Sequence, residues 1–323
     1  MTRVAAIDLG TNSTRLLVAD IGSAGCVHEV ERRSTITGMG QGVDTRGRLL
    51  PLPIARVRNC LAGYRNALEG LGAGRALVVA TSAVRDAENG EAFLGEVEWS
   101  YGFATRLLSG EEEAALTLDG VATGGPLAAG TLVVDVGGGS TELVLGGPAG
   151  LRTALSLDVG SVRLTERFLA ADPPAARELA ECSGAVQALM AERVPEALRD
   201  AVRTGVGVAG TVTTLATLDL GLEREEPSGG IHGHLVPAAT VERELGRLAS
   251  LPLAERRGVR GLEPARAPTI VAGMIILREA MAHFGLETLE ASERDLLHGA
   301  ALAAAELPEP VEWDAPPGAY TCC

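Results

Sequence analysis

Residues 4–10 read VAAIDLG, and residues 132–138 read LVVDVGG. In each stretch an apolar run contains an aspartate and ends at a glycine, which is typical of a buried strand that runs into a tight turn. Small hydroxyl or amide residues follow both turns, and a second strand comes next, at 14–20 and at 142–145. We interpret the two stretches as an internal duplication of one hairpin, because two matched copies indicate far more than a single glycine-rich turn.

The turn of the first hairpin has the chemistry of a phosphate site. Glycine lets the backbone approach a phosphate closely, and successive amides then form an anion-binding nest. Asp8 cannot favourably meet a phosphate directly, so we expect it to hold a magnesium-bound water. The residues that would offer amides, an amide side chain and hydroxyls to the phosphate are Gly10, Thr11, Asn12 and Ser13.

The second hairpin repeats this arrangement. Asp135 precedes its turn, and Glu142 opens the strand that follows. Glycine amides and two hydroxyl groups form the second predicted phosphate loop, at Gly137, Gly138, Gly139, Ser140 and Thr141. A third turn, 207–214 (GVAGTVTT), is predicted to open a helix, and a helix N-terminus attracts anions. We expect Gly210 and Thr211 to bind phosphate there.

Strands and helices alternate along the rest of the chain, which indicates an α/β architecture. The patterns predict a strand over 75–80 and helices near 54–71, from about 111, over 161–169, 175–202, 240–250 and 269–284. Segment 223–230 is rich in charge, proline and glycine and is predicted to be a surface loop. Residues after 307 are predicted to form a disordered tail.

The charge and the cysteine content of the chain bear on which ligands it can bind and on its cellular location. The net charge is −14, whereas a general nucleic-acid binder normally has a basic surplus, so that class is disfavoured. All 28 basic residues are arginine, so any basic phosphate contact uses a planar guanidinium. No apolar run reaches the ~18 residues of a membrane span, and we expect no signal peptide, because the first residues lack a charged segment followed by an apolar one. Five scattered cysteines without metal-ligand spacing favour the cytoplasm.

Three further groups of residues could take part in catalysis or ligand binding. Residues 109–114 (SGEEEA) open a helix, where acidic residues usually cap the helix and interact with its dipole. One of the three glutamates could instead act as a base, and periodicity does not choose which. Arg85 is either a surface arginine or a phosphate clamp. His232 and His234 lack a third ligand, so we favour a structural role over metal binding.

With these motifs in hand, the chain resembles the exopolyphosphatase and guanosine pentaphosphate phosphohydrolase family, within the actin, sugar kinase and heat-shock chaperone ATPase superfamily. The resemblance runs from Ala5 to about Leu302. Its block at 109–114 is the most diagnostic, because it separates this family from the superfamily's kinases. The other blocks are 6–13, 80–87, 134–143, 207–214 and 231–233.

The resemblance implies an α/β fold of two actin-like (ribonuclease H-like) lobes with a phosphate-binding cleft between them. Lobe I is expected over 1–125, completed by a C-terminal helix near 292–306, and lobe II over 126–291. The chain looks like the short, two-lobed form of the family, and we expect a homodimer.

The resemblance also implies roles for individual residues. Glu113 matches the catalytic base, and Asp135 and Glu142 match metal-associated acids that we expect to bind Mg²⁺ or Mn²⁺ together with Asp8. Three arginines match phosphate-binding positions, namely Arg15, Arg85 and Arg266. Two positions depart from the family pattern: Ala115 replaces an arginine and Pro268 an aspartate. These departures bear on substrate preference more than on reaction type.

The implied reaction is an in-line attack of water on the terminal phosphorus of inorganic polyphosphate, with Glu113 deprotonating the water. Three alternatives stay open. Hydrolysis of guanosine pentaphosphate or a nucleoside triphosphate would use the same residues. A non-catalytic sensor of nucleotide or polyphosphate would have no need of a base, so an intact Glu113 disfavours it. A small-molecule kinase is a weaker possibility, since the expected aspartate base is missing.

Overall fold

The computed structural model of the protein describes residues 1–223 and 230–308. The chain forms two compact units, the first made of Met1–Thr123 together with the segment from Leu296, and the second of Gly124–Asp295. The interior of the predicted loop at 223–230, the predicted tail from 309 onward, and with it Cys322 and Cys323, lie outside the described residues. Within those residues, no helix has the length and apolar character needed to cross a membrane.

The first unit is built on a five-stranded sheet of order β3-β2-β1-β4-β5. The strands β1, β2 and β3 form an antiparallel meander, and β4 and β5 extend it in parallel on the other side of β1. Their bounds are β1 Thr2–Leu9, β2 Ser13–Ile21, β3 Val27–Ile36, β4 Arg75–Ala80 and β5 Ala104–Leu107.

Helices cover both faces of this sheet. They are α1 Val43–Arg46, α2 Pro51–Leu71, α3 Ser82–Arg85, α4 Gly90–Tyr101, α5 Gly110–Ala122 and α13 Leu296–Glu306. Successive side chains of a strand point to opposite faces. Val4 and Ala6 of β1 therefore join the cluster that contains α13 residues, whereas Ile7 joins the cluster that contains α2 and α4 residues. Burial on both faces explains why β1 is a continuous apolar run rather than an alternating one.

The second unit contains a six-stranded sheet of order β10-β11-β9-β6-β7-β8. Strands β6, β7 and β8 form an antiparallel meander, β9 and β11 continue in parallel, and β10 adds an antiparallel edge. The bounds are β6 Thr131–Val136, β7 Thr141–Gly147, β8 Gly150–Leu157, β9 Thr204–Val208, β10 Leu235–Pro237 and β11 Thr288–Ala291.

The helices of the second unit differ from the sequence prediction at one place. The predicted helix over 175–202 is wrong as a single element, because the chain forms two helices separated at Pro195. Proline has no amide to donate and forces the preceding residue, Val194, into an extended conformation. The helices are α6 Ser161–Phe168, α7 Ala176–Arg193, α8 Glu196–Ala201, α9 Ala209–Asp219, α10 Ala238–Ala249, α11 Leu253–Arg256 and α12 Ile270–Phe284.

The two units share one topology. In each, three antiparallel strands are followed by two parallel ones, with the first strand between the two groups, and the second sheet adds β10 at one edge. The quoted hairpins are β1–β2 and β6–β7, and they occupy equivalent places in the two sheets. The prediction of an α/β chain built from two related lobes is confirmed, and so is the duplicated hairpin.

Candidate functional site

The two hairpin turns have the same internal geometry. The Gly10 amide donates to the Ser13 carbonyl oxygen at 3.0 Å, and the Gly137 amide donates to the Ser140 carbonyl oxygen at 3.0 Å. A Cβ atom at either glycine would lie 3.0 Å from that same oxygen, so both turns are closed too tightly to accept a side chain comfortably.

A second loop holds the first turn, and the sequence reasoning did not anticipate it. The amides of Gly38 and Gly40 donate to the carbonyl oxygens of Asn12 and Thr11, each at 2.8 Å. A Cβ atom at Gly40 would lie 2.1 Å from Thr11 Cγ2, and the Thr11 hydroxyl lies 2.8 Å from that of Ser82. With both carbonyls engaged, the turn can offer a ligand the amides of Thr11 and Asn12, which donate to no acceptor within the described residues.

Helix α6 holds the second turn in an equivalent way. The amides of Ser161 and Val162 donate to the carbonyl oxygens of Gly137 and Gly138 at 2.9 and 2.8 Å. Arg163 Nε donates to the Gly139 carbonyl oxygen at 2.8 Å. The loop carbonyls therefore face the helix. The Gly138 and Gly139 amides have no acceptor in the described part of the chain, so they can form an anion nest.

Gly160 is a second residue that sequence reasoning missed. A Cβ atom there would lie 2.4 Å from the backbone of Gly138 and Gly139, so only glycine permits this approach of α6 to the loop. Its φ of −150° is ordinary extended backbone, and the constraint is steric rather than conformational. A glycine before a helix was visible in the sequence, but its contact with a loop more than 20 residues away was not.

The acids of the two hairpins have different partners. Asp8 lies opposite Arg15 in the β1–β2 ladder, and Arg15 contacts Asp8 Oδ2 through Nε at 2.9 Å and Nη2 at 2.8 Å. At the same register of β6–β7, Asp135 lies opposite Glu142. The two hairpins thus share the aspartate and differ in the residue opposite it, which is an arginine in the first and a glutamate in the second.

The Asp135–Glu142 pair has the composition of a magnesium site. Both carboxylates are buried, and residues directly opposite in an antiparallel ladder have Cβ atoms about 4.5–5.5 Å apart. Ser156 Oγ donates to Glu142 Oε1 at 2.8 Å and orients it, a contact that the sequence did not indicate. Among residues 1–223 and 230–308, no group of three or more His, Cys, Asp or Glu side chains is placed so that it could hold a metal ion. A hard cation here would take its remaining ligands from water and phosphate, as Mg²⁺ commonly does.

The first turn of α5 separates the three glutamates that periodicity could not distinguish. Glu112 completes a capping box with Ser109 and pairs with Arg106, while Glu111 is exposed. Glu113 alone is buried, at 6% exposure, and its Oε2 lies 3.5 Å from Arg85 Nη1. The residue that the resemblance matches to the catalytic base is therefore the one that the fold isolates from solvent.

Arg85 lies beside Glu113, a proximity that sequence reasoning did not foresee. It ends the short helix α3, and its Nη1 also donates to the Leu108 carbonyl oxygen at 2.8 Å. This bond to Leu108 ties α3 to the segment that leads into α5, so the guanidinium and the carboxylate keep a fixed relation. A quarter of the Arg85 side chain stays accessible, which leaves donors for a phosphate.

The third turn places an arginine on a helix N-terminus. Helix α9 begins at Ala209, whose φ is +64°, and a Cβ atom at Gly210 would lie 1.2 Å from Arg266 Nη1. The guanidinium therefore rests on the Gly210 backbone, where the positive helix end makes an added anion favourable. The Thr211 hydroxyl packs against Gly273 of α12, so Thr211 would contact a ligand there through its backbone.

Both histidines of the 231–234 segment have protein partners. His234 Nε2 lies 2.8 Å from Asp219 Oδ2, and His232 Nδ1 lies 3.3 Å from the Glu293 amide. The same Asp219 carboxylate accepts hydrogen bonds from Thr240 and Arg243. Burial opposes the charge of Asp219, but the bonds from His234, Thr240 and Arg243 outweigh it and lower its pKa. The structural role favoured for the histidines fits these contacts.

Comparisons with known proteins point in one direction. A model of the Ppx/GppA phosphatase family matches residues 17–306. The chain is 40% identical to Exopolyphosphatase 2 of Mycobacterium tuberculosis over 322 residues, which cover 94% of this chain and 99% of that protein. The similarity therefore spans both units.

Solved structures show the same likeness. The crystal structure of an exopolyphosphatase-like protein, 32% identical, covers 93% of this chain and 98% of its own, with a TM-score of 0.87. A Ppx/GppA family member from Aquifex aeolicus, 31% identical, covers 94% and 97%, with a TM-score of 0.77.

Proposed function

The chain belongs to the Ppx/GppA phosphatase family, and on this premise we propose that it is an exopolyphosphatase that releases terminal orthophosphate from inorganic polyphosphate. The observation that carries the proposal is the 40% identity to an exopolyphosphatase over 94% of the chain. The burial of Glu113 beside Arg85 supports it, because a protein that only bound phosphate would have no need of a shielded base.

Glu113 is proposed to act as the general base. Its carboxylate would orient a water and accept its proton while the oxygen attacks the terminal phosphorus in line with the leaving phosphate. Arg85, 3.5 Å from Glu113 Oε2, is proposed to hold the phosphoryl group near that water. Most of the rate gain in such a reaction comes from positioning and electrostatic stabilisation.

The two hairpin turns are proposed to bind phosphate through backbone amides. Each turn has its carbonyls engaged by a neighbouring element, at Gly38 and Gly40 in one unit and at Ser161 and Val162 in the other. Donors fixed in this way do not need to reorganise when charge develops on a phosphoryl group. Arg15 would act indirectly here, since it already pairs with Asp8, and Arg266 would meet phosphate at the start of α9.

Asp135 and Glu142 are proposed to hold a divalent cation, Mg²⁺ or Mn²⁺. When bound, such a cation would neutralise charge on the phosphate oxygens. Asp8 is a weaker candidate for a metal ligand than Asp135 or Glu142. A cation at Asp8 would compete with the Arg15 guanidinium, which lies 2.8 Å from Asp8 Oδ2. We retain Asp8 as a residue that holds a metal-bound water.

The cellular location and the oligomeric state stay predictions. A cytoplasmic location rests on the cysteine pattern alone, and a homodimer is an expectation that light scattering on the purified protein can check directly. Neither enters the chemistry proposed for Glu113 or for the hairpin turns.

The decisive experiment is phosphate release measured side by side on short polyphosphate, long polyphosphate, guanosine pentaphosphate and a nucleoside triphosphate, with added Mg²⁺. We expect polyphosphate to give the highest kcat/KM. A higher value for guanosine pentaphosphate would assign the chain to the nucleotide reaction instead. If the protein bound polyphosphate but released no phosphate under any of these conditions, the remaining hypothesis would be a non-catalytic sensor of polyphosphate.

A further inference from the structure

Two buried hydroxyl groups meet beside the first hairpin turn. Thr11 of the turn is 7% exposed, Ser82 at the start of α3 is 2% exposed, and their side-chain oxygens lie 2.8 Å apart. The two residues are 71 positions apart in the chain, so only the folded unit brings them together. Ser82 has no part in the chemistry proposed for the hairpin turns or for Arg85.

The Thr11 side chain is held in one orientation by the loop that contains Gly40. A Cβ atom at Gly40 would lie 2.1 Å from Thr11 Cγ2, so the Thr11 methyl group packs directly on that glycine. The Gly40 amide also donates to the Thr11 carbonyl oxygen at 2.8 Å. Fixing the methyl group of a β-branched side chain also fixes its hydroxyl, because both are bonded to the same Cβ atom. The loop therefore keeps the Thr11 hydroxyl against Ser82.

Ser82 is fixed as well, because neighbouring elements hold α3 in place. A Cβ atom at Gly90 would lie 1.9 Å from the Val84 carbonyl oxygen, so the start of α4 packs closely against α3. At the other end of the short helix, Arg85 Nη1 donates to the Leu108 carbonyl oxygen at 2.8 Å. Both members of the hydroxyl pair are thus placed by contacts outside the pair.

The pair has two hydroxyl protons but only one hydrogen bond between its members. Neither oxygen has a second hydrogen-bond partner within residues 1–223 and 230–308, so the accepting member keeps a proton that it can donate elsewhere. A donor buried without an acceptor is unfavourable. The favourable arrangement therefore has Ser82, the more deeply buried residue, donate to Thr11. The remaining proton then lies on Thr11, in the turn whose Thr11 and Asn12 amides are also available to a ligand.

We propose that Ser82 is a positioning residue of the phosphate site, which donates to the Thr11 hydroxyl and directs the remaining Thr11 proton at a phosphate oxygen. A hydroxyl that accepts one hydrogen bond becomes a stronger donor, and a donor that is already fixed does not reorganise when the anion binds. The inference rests on the proposed function in one respect, namely that the first turn binds a phosphate of the substrate.

Binding without turnover tests the pair, with tripolyphosphate as the probe in isothermal titration calorimetry at constant Mg²⁺ and Glu113→Gln as the parent protein. Thr11→Val keeps the methyl group and removes the hydroxyl, and we expect it to weaken binding at least about tenfold, which is about 1.4 kcal/mol. Ser82→Ala should weaken binding about fivefold, and so should Ser82→Cys, whose S–H is a weak donor.

The double variant carries the decisive result. Added to Thr11→Val, Ser82→Ala should weaken binding by less than a further factor of about two, because Ser82 acts only through the Thr11 hydroxyl. Thr11→Ser keeps the hydroxyl and should stay within about threefold of the parent. Melting curves verify that each variant is folded. Additive losses in the double variant, or unchanged binding in both Ser82→Ala and Ser82→Cys, would overturn the proposal.

A second cycle separates this role from simple support of α3. If Ser82 only supported the helix, its loss would act through Arg85, and Ser82→Ala would have little effect in an Arg85→Ala background. We expect it to keep its effect of about fivefold there. Ser100→Ala, which removes an exposed hydroxyl from α4, is the control and should leave binding unchanged. Loss of the Ser82→Ala effect beside Arg85→Ala would refute the role assigned to Ser82.

These binding results can be told apart from a failure of the proposed function. A wild type that releases no phosphate, with the cycles as expected, would refute the hydrolase and leave the Thr11–Ser82 pair supported. An active wild type with additive losses would refute the pair alone. If Glu113→Gln bound no tripolyphosphate in the millimolar range, the first turn would not be a phosphate site and the pair would be refuted with it.

Discussion

At the scale of single residues, burial distinguishes side chains that are chemically identical. Three consecutive glutamates open α5, and each meets a different environment within one helical turn. Glu111 faces solvent, Glu112 caps the helix, and Glu113 is buried 3.5 Å from Arg85. The base proposed for the reaction can therefore be tested against a neighbour of the same chemistry.

We expect Glu113→Gln to lower turnover by far more than tenfold while leaving polyphosphate binding nearly intact, because the amide keeps the shape but accepts no proton. Glu111→Gln is the matched control and should keep full activity. Steady-state phosphate release and equilibrium binding measure the two quantities. Activity of Glu113→Gln within about tenfold of wild type, about 1.4 kcal/mol of barrier, would remove Glu113 from the role.

The unlike partners of Asp8 and Asp135 lead to a second expectation. Asp135→Asn should raise the Mg²⁺ concentration needed for half-maximal activity by more than Asp8→Asn does, because Asp8 is already neutralised by Arg15. Added Mg²⁺ should also raise the melting temperature of the wild type but not of Asp135→Asn. An equal loss of the Mg²⁺ effect in both variants would show that Asp8 contributes as much to cation binding as Asp135 does.

At the scale of elements, the first turn of α5 positions Glu113, and the first turn of α6 positions the loop 137–139. Ser109 and Glu112 fix the first turn of α5, and with it Glu113. Gly160 and the first amides of α6 fix the loop 137–139. The first arrangement joins two side chains to backbone amides, and the second joins backbone to backbone, so each fixes a helix start relative to its neighbours.

The capping box makes a pH-dependent contribution. The Ser109 amide, followed by Arg106, lowers the pKa of Glu112 from 4.5 to about 2. A carboxyl whose pKa falls on folding stabilises the protein above its unfolded value, and that stabilisation is lost as pH falls through the folded value. The melting temperature of wild type should therefore exceed that of Glu112→Gln at neutral pH, with the gap closing from pH 4.5 toward 2.

Ser109→Ala tests the same cap from its other side. Removing an N-cap hydroxyl costs about 1 kcal/mol, and the double variant with Glu112→Gln should lose less than the sum of the single losses, because both residues belong to one box. Strict additivity in thermal or denaturant unfolding would show that the two bonds act independently.

Gly160→Ala should reduce activity strongly, because the added Cβ would meet the Gly138 and Gly139 backbone at 2.4 Å and displace the loop. Gly184→Ala in α7 is the control, since nothing lies within 4 Å of its Cβ position. It should keep activity and raise the free energy of unfolding by about 0.5–1 kcal/mol. Full activity of Gly160→Ala with unchanged KM would mean that the loop position does not matter for catalysis.

At the scale of the whole molecule, a net charge of −14 opposes the approach of a polyanion. Productive binding must therefore rest on local donors, and Arg266, whose guanidinium lies against Gly210 at the start of α9, is proposed as one of them. Arg256, buried, donates to the Ala267 carbonyl oxygen at 3.1 Å and holds the segment that carries Arg266.

We expect Arg266→Ala to raise KM for polyphosphate by about tenfold or more, since a charge-assisted phosphate contact contributes ~1.5–3 kcal/mol. The effect should be larger for long chains than for short ones and should leave kcat almost unchanged. Arg177→Ala, at a highly exposed position of α7, removes the same charge elsewhere and should change KM little. Equal effects of the two substitutions would attribute the loss to net charge alone.

Features contained in short stretches of chain were predictable from the sequence. Both hairpins, the strand Arg75–Ala80 and the helices α2, α5 and α12 follow from local periodicity, glycine turns and caps, because the interactions that define them join near neighbours. The short strands β5 and β11 carried no such signal, since four residues of ordinary composition become strands only through their partners in a sheet.

What the sequence by itself determined is the duplicated α/β plan and the chemistry available at each turn. The tertiary structure alone decided which residues meet: Arg15 with Asp8 but Glu142 with Asp135, and Gly160 against the second loop. Strand register and helix packing bring together residues that are separated along the chain, and the free energy of those contacts depends on distance in space. Residue type states what a side chain can do, and only burial and neighbours assign which of several like residues does it.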